Sequence, residues 1–258
     1  MEIWDYLLLG AVQGLTEFLP VSSSGHLVLL EHWLDLNPPG VVLEVALHIA
    51  TLLSVLVVYR RDIARLWREG NWRYLGYIVL ATAVTVAIAL PFKQLVAALT
   101  DSAAAVRFVG IMLFITAAWL LLADWRLRRS KAERPLGWPA SLLTGIAQAL
   151  AVLPGISRSG ATIGLLIQTG QGRRAAARFS FLLSVPVILG AGMLSIGDLS
   201  AGLAQGHING LGLGLAFVAA LVFGIAAIHL VLAALHRAHL SLFALYCIVL
   251  GIVAVILG

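Results

Sequence analysis

Six long apolar stretches recur along this chain, at Val41–Tyr59, Tyr77–Phe92, Ala104–Trp125, Phe179–Ile196, Leu211–Leu235 and Leu240–Leu257. Each is near the roughly 20 residues that a helix needs to cross the hydrocarbon core of a bilayer. Composition agrees, because 61% of the 258 residues are hydrophobic and 11% are charged. Soluble domains run at about 45–50% apolar and about 25% charged. Lipid is therefore the solvent for most of the chain. The expected fold is an all-α polytopic membrane protein. The segment Met1–Tyr6 holds Glu2 and Asp5 but no Lys or Arg, so it lacks the basic start of a cleavable signal and is expected to remain.

Two further regions are apolar but interrupted. Ile3–Leu19 runs into Pro20-Val-Ser-Ser-Ser-Gly-His26 and then a short apolar piece, Leu27–Leu36. Gly137–Leu153 runs into Pro154-Gly-Ile-Ser-Arg-Ser-Gly160 and a second short piece, Ala161–Thr169. A piece of about ten residues reaches roughly 15 Å as a helix, half the hydrocarbon core. These regions are expected to form re-entrant helix–turn–helix hairpins beside about six transmembrane helices.

The formal net charge is +5, but its distribution argues against nucleic acid. Of 17 Lys and Arg residues, 14 fall at four places: Arg60 to Arg73, Arg126 to Arg134, Arg173 to Arg178, and Arg237. The intervening loops at Glu31–Gly40 and Gly197–Gly210 hold none, and Lys93–Ala103 holds one. Two spans or one hairpin separate each cluster from the next, so all four can share one side, which the positive-inside rule makes cytoplasmic. The first hairpin then enters from outside and the second from inside. The single cysteine, Cys247, sits in an apolar run and can form neither an intrachain disulfide nor a cysteine metal site.

The two interrupted regions resemble each other. At an offset of 135 residues, Gly10, Gln13, Leu15, Ser22, Ser24 and Gly25 match Gly145, Gln148, Leu150, Ser157, Ser159 and Gly160 without a gap. The matches include the rare polar residues of an apolar background. With opposite orientations, this pattern is an inverted-topology repeat. Residues 1–125 would hold the first hairpin and three spans, and residues 136–258 the second hairpin and three spans.

Chemistry concentrates at the two breaks. Gln13 and Glu17 share a helix face by their i, i+4 spacing. Ser22, Ser23, Ser24 and His26 follow within ten residues of Glu17. Such groups inside a membrane are costly and mark a site or pathway. The second break supplies Ser157, Arg158, Ser159, Gly160 and Thr162. A guanidinium there needs an anionic partner, and its planar fork suits phosphate or carboxylate oxygens. Gly155 and Gly160 permit a tight turn and close backbone approach, and the helix starting near Gly160 points free N–H groups at an anion. Glu44 and His48 repeat the i, i+4 spacing on the next span. They can form a second ring of polar groups around the site or a gate, or simply join helices.

The segments Gln13-Gly-Leu-Thr-Glu17-Phe-Leu-Pro-Val-Ser-Ser-Ser-Gly-His26 and Pro154-Gly-Ile-Ser-Arg-Ser-Gly-Ala-Thr162 resemble the two motifs of the undecaprenyl-diphosphate phosphatase, or bacitracin-resistance, family. Essentially the whole chain shares the resemblance. It implies a hydrolase of the bacterial cytoplasmic (inner) membrane that converts undecaprenyl diphosphate to undecaprenyl phosphate and inorganic phosphate. That reaction recycles the carrier lipid of peptidoglycan synthesis. The resemblance also implies a divalent cation, Mg2+ or Ca2+, and a site open to the periplasmic side. Gln13 carries no charge, so the cation is expected at Glu17.

In this reading Arg158 clamps phosphate oxygens with the hydroxyls of Ser157, Ser159 and Thr162, while Gln13, Ser22, Ser24 and Gly160 complete the binding surface. His26 acts as general base or nucleophile, or activates Ser23 as the nucleophile. The expected partners are the lipid substrate and the surrounding membrane, with a homodimer left open. The alternative function is a transporter or flippase for a polyprenyl phosphate, since inverted repeats with broken helices also characterise transporters.

Overall fold

The computed structural model describes residues 2–36, 41–100, 102, 104–129, 133–195, 209–237 and 239–258. Regular structure among these residues is helical throughout. In chain order the helices are α1 (Ile3–Phe18), α2 (Ser23–Trp33), α3 (Val41–Arg68), α4 (Trp72–Ala89), α5 (Lys93–Thr100), α6 (Ala105–Arg129), α7 (Trp138–Leu150), α8 (Arg158–Gln168), α9 (Arg173–Leu194), α10 (Gly210–Arg237) and α11 (Leu240–Leu257). Helices α3, α4, α6, α9, α10 and α11 supply six segments long and apolar enough to cross a membrane. Their outward side chains are apolar, for example Ile111 and Ile115 on α6, Val218 and Val222 on α10, and Leu245 and Val249 on α11. Such continuous apolar exposure suits lipid and not water.

Of the remaining helices, α1 and α2 meet at the first break and α7 and α8 at the second. Leu19 stands before Pro20 and is extended, with φ −62° and ψ 141°. Proline's ring disfavours the helical region for the residue before it, so α1 stops there. Helix α2 restarts with Ser22 as N-cap, its hydroxyl accepting the Gly25 N–H at 3.3 Å. In the second break Gly155 has φ +96°, in the region that favours glycine. Helix α8 restarts with Ser157 as N-cap, accepting the Gly160 N–H at 3.1 Å. With 11 residues each, α2 and α8 reach only about 16 Å at 1.5 Å per residue.

Three differences from the sequence reading have physical causes. Helix α3 continues past Tyr59 to Arg68, and α9 begins at Arg173, before Phe179. The extensions are joined, since Arg178 Nη2 pairs with Asp62 Oδ1 at 3.0 Å, and Leu66, Ala176 and Ala177 are buried. The stretch Lys93–Ala103, read as a loop, contains α5. It ends where the Thr100 hydroxyl folds back to the Ala97 carbonyl at 2.8 Å. Much of the loop expected over 197–210, part of that over 31–40, and also Ile196 and Lys131 lie outside the described residues.

Helix α1 packs along α10, α7 along α4, and α6 along α11, while α3 packs on both α9 and α10. Small residues bring these backbones together. A Cβ added at Gly10 would collide with the Ala216 carbonyl oxygen, and one at Gly145 would lie 2.6 Å from that of Ala81. Gly10 and Gly145, and likewise Ala81 and Ala216, are related by the 135-residue spacing. Buried Asp124 on α6 accepts from Arg128 Nε at 2.8 Å and from the Leu240 N–H at 3.2 Å, which ties down the start of α11.

Gly145→Val is expected to force α7 off α4, at a cost of about 1–3 kcal/mol. The measurement is the thermal unfolding midpoint of the purified protein in detergent. An unchanged midpoint would contradict the close α4–α7 approach.

Candidate active site

Helix α1 ends one residue after Glu17, so this carboxylate projects at the first break and is 7% exposed. A carboxylate buried so deeply is stable only when its oxygens are satisfied. Both are. Arg158, the first residue of α8, donates from Nη2 to Oε1 at 2.6 Å. Ser23, in the first turn of α2, donates its hydroxyl to Oε2 at 2.6 Å. Gln13, one turn back on α1, donates from Nε2 to the same Oε2 at 3.0 Å. The two breaks therefore meet at one ion pair, and three of the residues singled out in sequence converge on Glu17.

Two polar atoms here have no protein partner among the described residues, Arg158 Nη1 and Gln13 Oε1. Orphaned atoms of this kind are uncommon in folded proteins and point to ligand, ion or water contacts. Arg158 thus combines one guanidinium nitrogen held by Glu17 with a second, buried donor able to receive an oxygen of an anion.

The other hydroxyls clasp one tip to the other. Ser22 Oγ accepts the Gly155 N–H at 3.1 Å across the interface, in addition to capping α2. Ser159 Oγ donates to the Leu19 carbonyl at 3.1 Å. Ser157 Oγ lies 3.2 Å from Ser159 Oγ while capping α8 at Gly160. Ser24 is exposed, with its Oγ 3.5 Å from that of Ser22. Thr162 Oγ1 turns back to the Arg158 carbonyl at 2.9 Å and shares a hydrogen bond with Ser180 at 2.6 Å.

His26 occupies a different place from the one its spacing suggests. Its Nδ1 donates to the Ser22 carbonyl at 2.7 Å, and its Nε2 lies 2.7 Å from the Tyr246 hydroxyl, with the two rings nearly parallel. Ser23 hydrogen-bonds to Glu17 instead of His26, whose two ring nitrogens are taken by the Ser22 carbonyl and the Tyr246 hydroxyl. The sequence reading did not find Tyr246, which sits in an otherwise apolar span 220 positions away. It left His48 between two roles. In the structure His48 Nδ1 lies 3.0 Å from Gln13 Nε2 and 4.0 Å from Glu17 Oε2.

No group of three His, Cys, Asp or Glu side chains able to hold a metal comes together among the described residues. A fully protein-built cage for a cation does not fit this site. Hard oxygens are nevertheless present in the Glu17 carboxylate and Gln13 Oε1. They suit a hydrated divalent cation that shares its coordination with a phosphate ligand.

Fold and site together describe a multi-pass helical membrane protein with a carboxylate–guanidinium centre buried where two interrupted helices meet. Residues 6–253 match the family described as bacitracin resistance protein BacA. The undecaprenyl-diphosphatase of Halothermothrix orenii is 40% identical over 261 residues, spanning 100% of this chain and 98% of its own length. That of Christiangramia forsetii is 39% identical over 269 residues, spanning 99% of this chain and 98% of its own. Undecaprenyl-diphosphatase 2 of Halalkalibacterium halodurans is 35% identical over 237 residues, spanning 86% and 84% respectively. The chain belongs to the BacA family.

Breaking one side of the ion pair leaves a buried charge uncompensated, which costs about 3–5 kcal/mol, whereas removing both sides costs far less. Glu17→Leu is therefore expected to lower the unfolding midpoint in detergent more than the double variant Glu17→Leu/Arg158→Leu. Equal or greater loss in the double variant would show that the pair is not a coupled buried unit.

Proposed function

We propose that this protein is an undecaprenyl-diphosphatase, hydrolysing undecaprenyl diphosphate to undecaprenyl phosphate and inorganic phosphate. The observation that carries the reading is Arg158, held by Glu17 through Nη2 and presenting a second buried donor, Nη1, without a protein partner. Curated relatives that align with nearly the whole chain bear that name, which favours hydrolysis over polyprenyl-phosphate transport. Recycling of the carrier lipid for cell-wall synthesis, and with it bacitracin resistance, follows from this activity.

Arg158 Nη1 receives an oxygen of the terminal phosphate, and the N-terminus of α8 adds its dipole. Ser23 Oγ attacks the terminal phosphorus while Glu17 Oε2, at 2.6 Å, takes the hydroxyl proton. The anhydride bond breaks and undecaprenyl phosphate leaves. Glu17 then returns its proton as water cleaves the phosphoserine to inorganic phosphate. His26, bonded to Ser22 and Tyr246, braces the start of α2 on which Ser23 rides. The remaining hydroxyls of both tips preserve the shape into which the phosphates fit.

A diphosphate brings several negative charges to a centre whose one cation is already paired. Glu17 and Gln13 Oε1 would hold a divalent cation, which when bound would supply charge neutralisation. The prenyl tail stays in lipid.

The fold elements around the site form an inverted repeat, a reading supported by equivalent packing of α1 on α10 and α7 on α4 at the 135-residue spacing. The two broken helices then enter as re-entrant hairpins from opposite sides. The four basic clusters support a chain in the bacterial cytoplasmic membrane with those clusters on the cytoplasmic side, and the family resemblance favours a site that opens to the periplasm.

The test is phosphate release from undecaprenyl diphosphate by purified protein in detergent, where vectorial transport cannot register. Arg158→Ala and Ser23→Ala are each expected to lower turnover by at least about 100-fold when assayed below their unfolding midpoints, that of Arg158→Ala being lowered by the stranded Glu17. Chelation should abolish release, and Mg2+ or Ca2+ should restore it. Normal turnover by Arg158→Ala would overturn the clamp, and a phosphoenzyme trapped on Ser23→Ala would overturn the nucleophile.

A further inference from the structure

His48 sits on α3, one contact removed from the groups already assigned. Its Nδ1 lies 3.0 Å from Gln13 Nε2, which in turn lies 3.0 Å from Glu17 Oε2. An amide nitrogen only donates, so Nδ1 is the acceptor and the ring hydrogen resides on Nε2. That Nε2 lies 3.9 Å from Glu44 Oε1, at ion-pair and not hydrogen-bond distance. Both hydrogens of the Gln13 amide are thus used, one on the carboxylate and one on the imidazole.

The amide orientation is the point at issue. Gln13 is fully buried, and its Oε1 has no partner among the described residues. Glu17 Oε2 tolerates a donor and repels an acceptor. The His48 acceptor adds a second, independent demand for the same orientation from a different helix. Without it, the Glu17 contact is the one hydrogen bond among the described residues that opposes inversion of the amide. Inversion would set Gln13 Oε1 against Glu17 Oε2, the same oxygen that accepts from Ser23 at 2.6 Å.

We propose that His48 is a positioning residue: by accepting from Gln13 Nε2 it locks that amide as a donor to Glu17, and so holds Oε2 aimed at the Ser23 hydroxyl. The inference rests on the hydrolysis assigned above and deepens it. His48 makes no hydrogen bond to Glu17 or Ser23, its Nδ1 standing 4.0 Å from Glu17 Oε2. It acts through Gln13, and its contribution exists only while Gln13 carries an amide. A residue that merely filled space would have no such dependence.

The experiment is a kinetic double-mutant cycle on the full-length protein in detergent, with undecaprenyl diphosphate as substrate. His48→Leu removes the acceptor and is expected to lower kcat by about 10- to 100-fold with KM within about threefold. His48→Asn sets Oδ1 where Nδ1 stood and is expected to recover kcat to within about threefold of wild type. In a Gln13→Met background, His48→Leu should cost no more than about twofold further. Losses that multiply in that background, an unaffected kcat in His48→Leu, or a His48→Asn protein as slow as His48→Leu would each overturn the proposal. Unfolding midpoints of all variants separate misfolding from misalignment, and the His48→Asn arm keeps the test decisive if His48→Leu does not fold. An active wild type whose losses multiply overturns the positioning role alone; a wild type that releases no phosphate overturns the functional reading with it.

Discussion

The Glu17–Arg158 ion pair is the contact on which the centre of this protein depends. Each charge belongs to a different interrupted helix, and neither is tolerable alone in an apolar interior. Joining them at 2.6 Å fixes the distance between the two breaks. The remaining polar groups then fall into place around that distance. Ser22 reaches the Gly155 N–H, Ser159 reaches the Leu19 carbonyl, and Gly25 lies against Gly155 so closely that a Cβ would meet its backbone at 3.1 Å. The two tips are thus satisfied mainly by each other, as backbone groups away from water must be.

The two interrupted regions that meet here match in their scaffolding and not in their chemistry. Gly10 and Gly145 make equivalent contacts, and Ser22 and Ser157 cap equivalent helices. Gln13 and Gln148 each leave a buried Oε1 unpartnered. The likeness ends at the next turn. Gln148 Nε2 donates to Thr85 at 3.0 Å, and the position 135 residues beyond Glu17 is Val152. One half therefore keeps the carboxylate and the hydroxyl that faces it, while the other contributes the guanidinium. A single charge on each side is the arrangement an apolar medium allows, since a second carboxylate in the other half would lack its own cation.

Much of this was legible from local features. Apolar run length locates the spans, prolines and serines locate the breaks, and Arg158, which like Arg107 lies outside the four basic clusters, points to the centre. What was not legible is partner choice. The spacing of Ser23 and His26 does not reveal that one turns to Glu17 and the other to Tyr246 on α11. That depends on which helix lies beside each face of α2. Likewise the hydroxyls of Ser22, Ser157 and Ser159 read equally well as ligand donors or as caps. Only the geometry shows them serving as caps and clasps. The extensions of α3 and α9 escape a hydropathy reading because an ion pair, Asp62 with Arg178, and buried alanines hold them, not an apolar run.

The choice of arginine at position 158 follows from the two demands placed on it. A guanidinium has five donors in a rigid plane, so one edge can stay on Glu17 while another nitrogen turns to a ligand. A lysine ammonium in the same place is a single point charge. An incoming phosphate would have to compete with Glu17 for it, and drawing the ammonium away would strand the carboxylate. With arginine, the structural contact at Oε1 and the proposed phosphate contact at Nη1 coexist. Glu17 can then keep Oε2 for Ser23 and Gln13 throughout the proposed reaction. The ion pair that joins the two tips would in this way also leave the Ser23–Glu17 contact, the proposed nucleophile and base, undisturbed when an anion arrives.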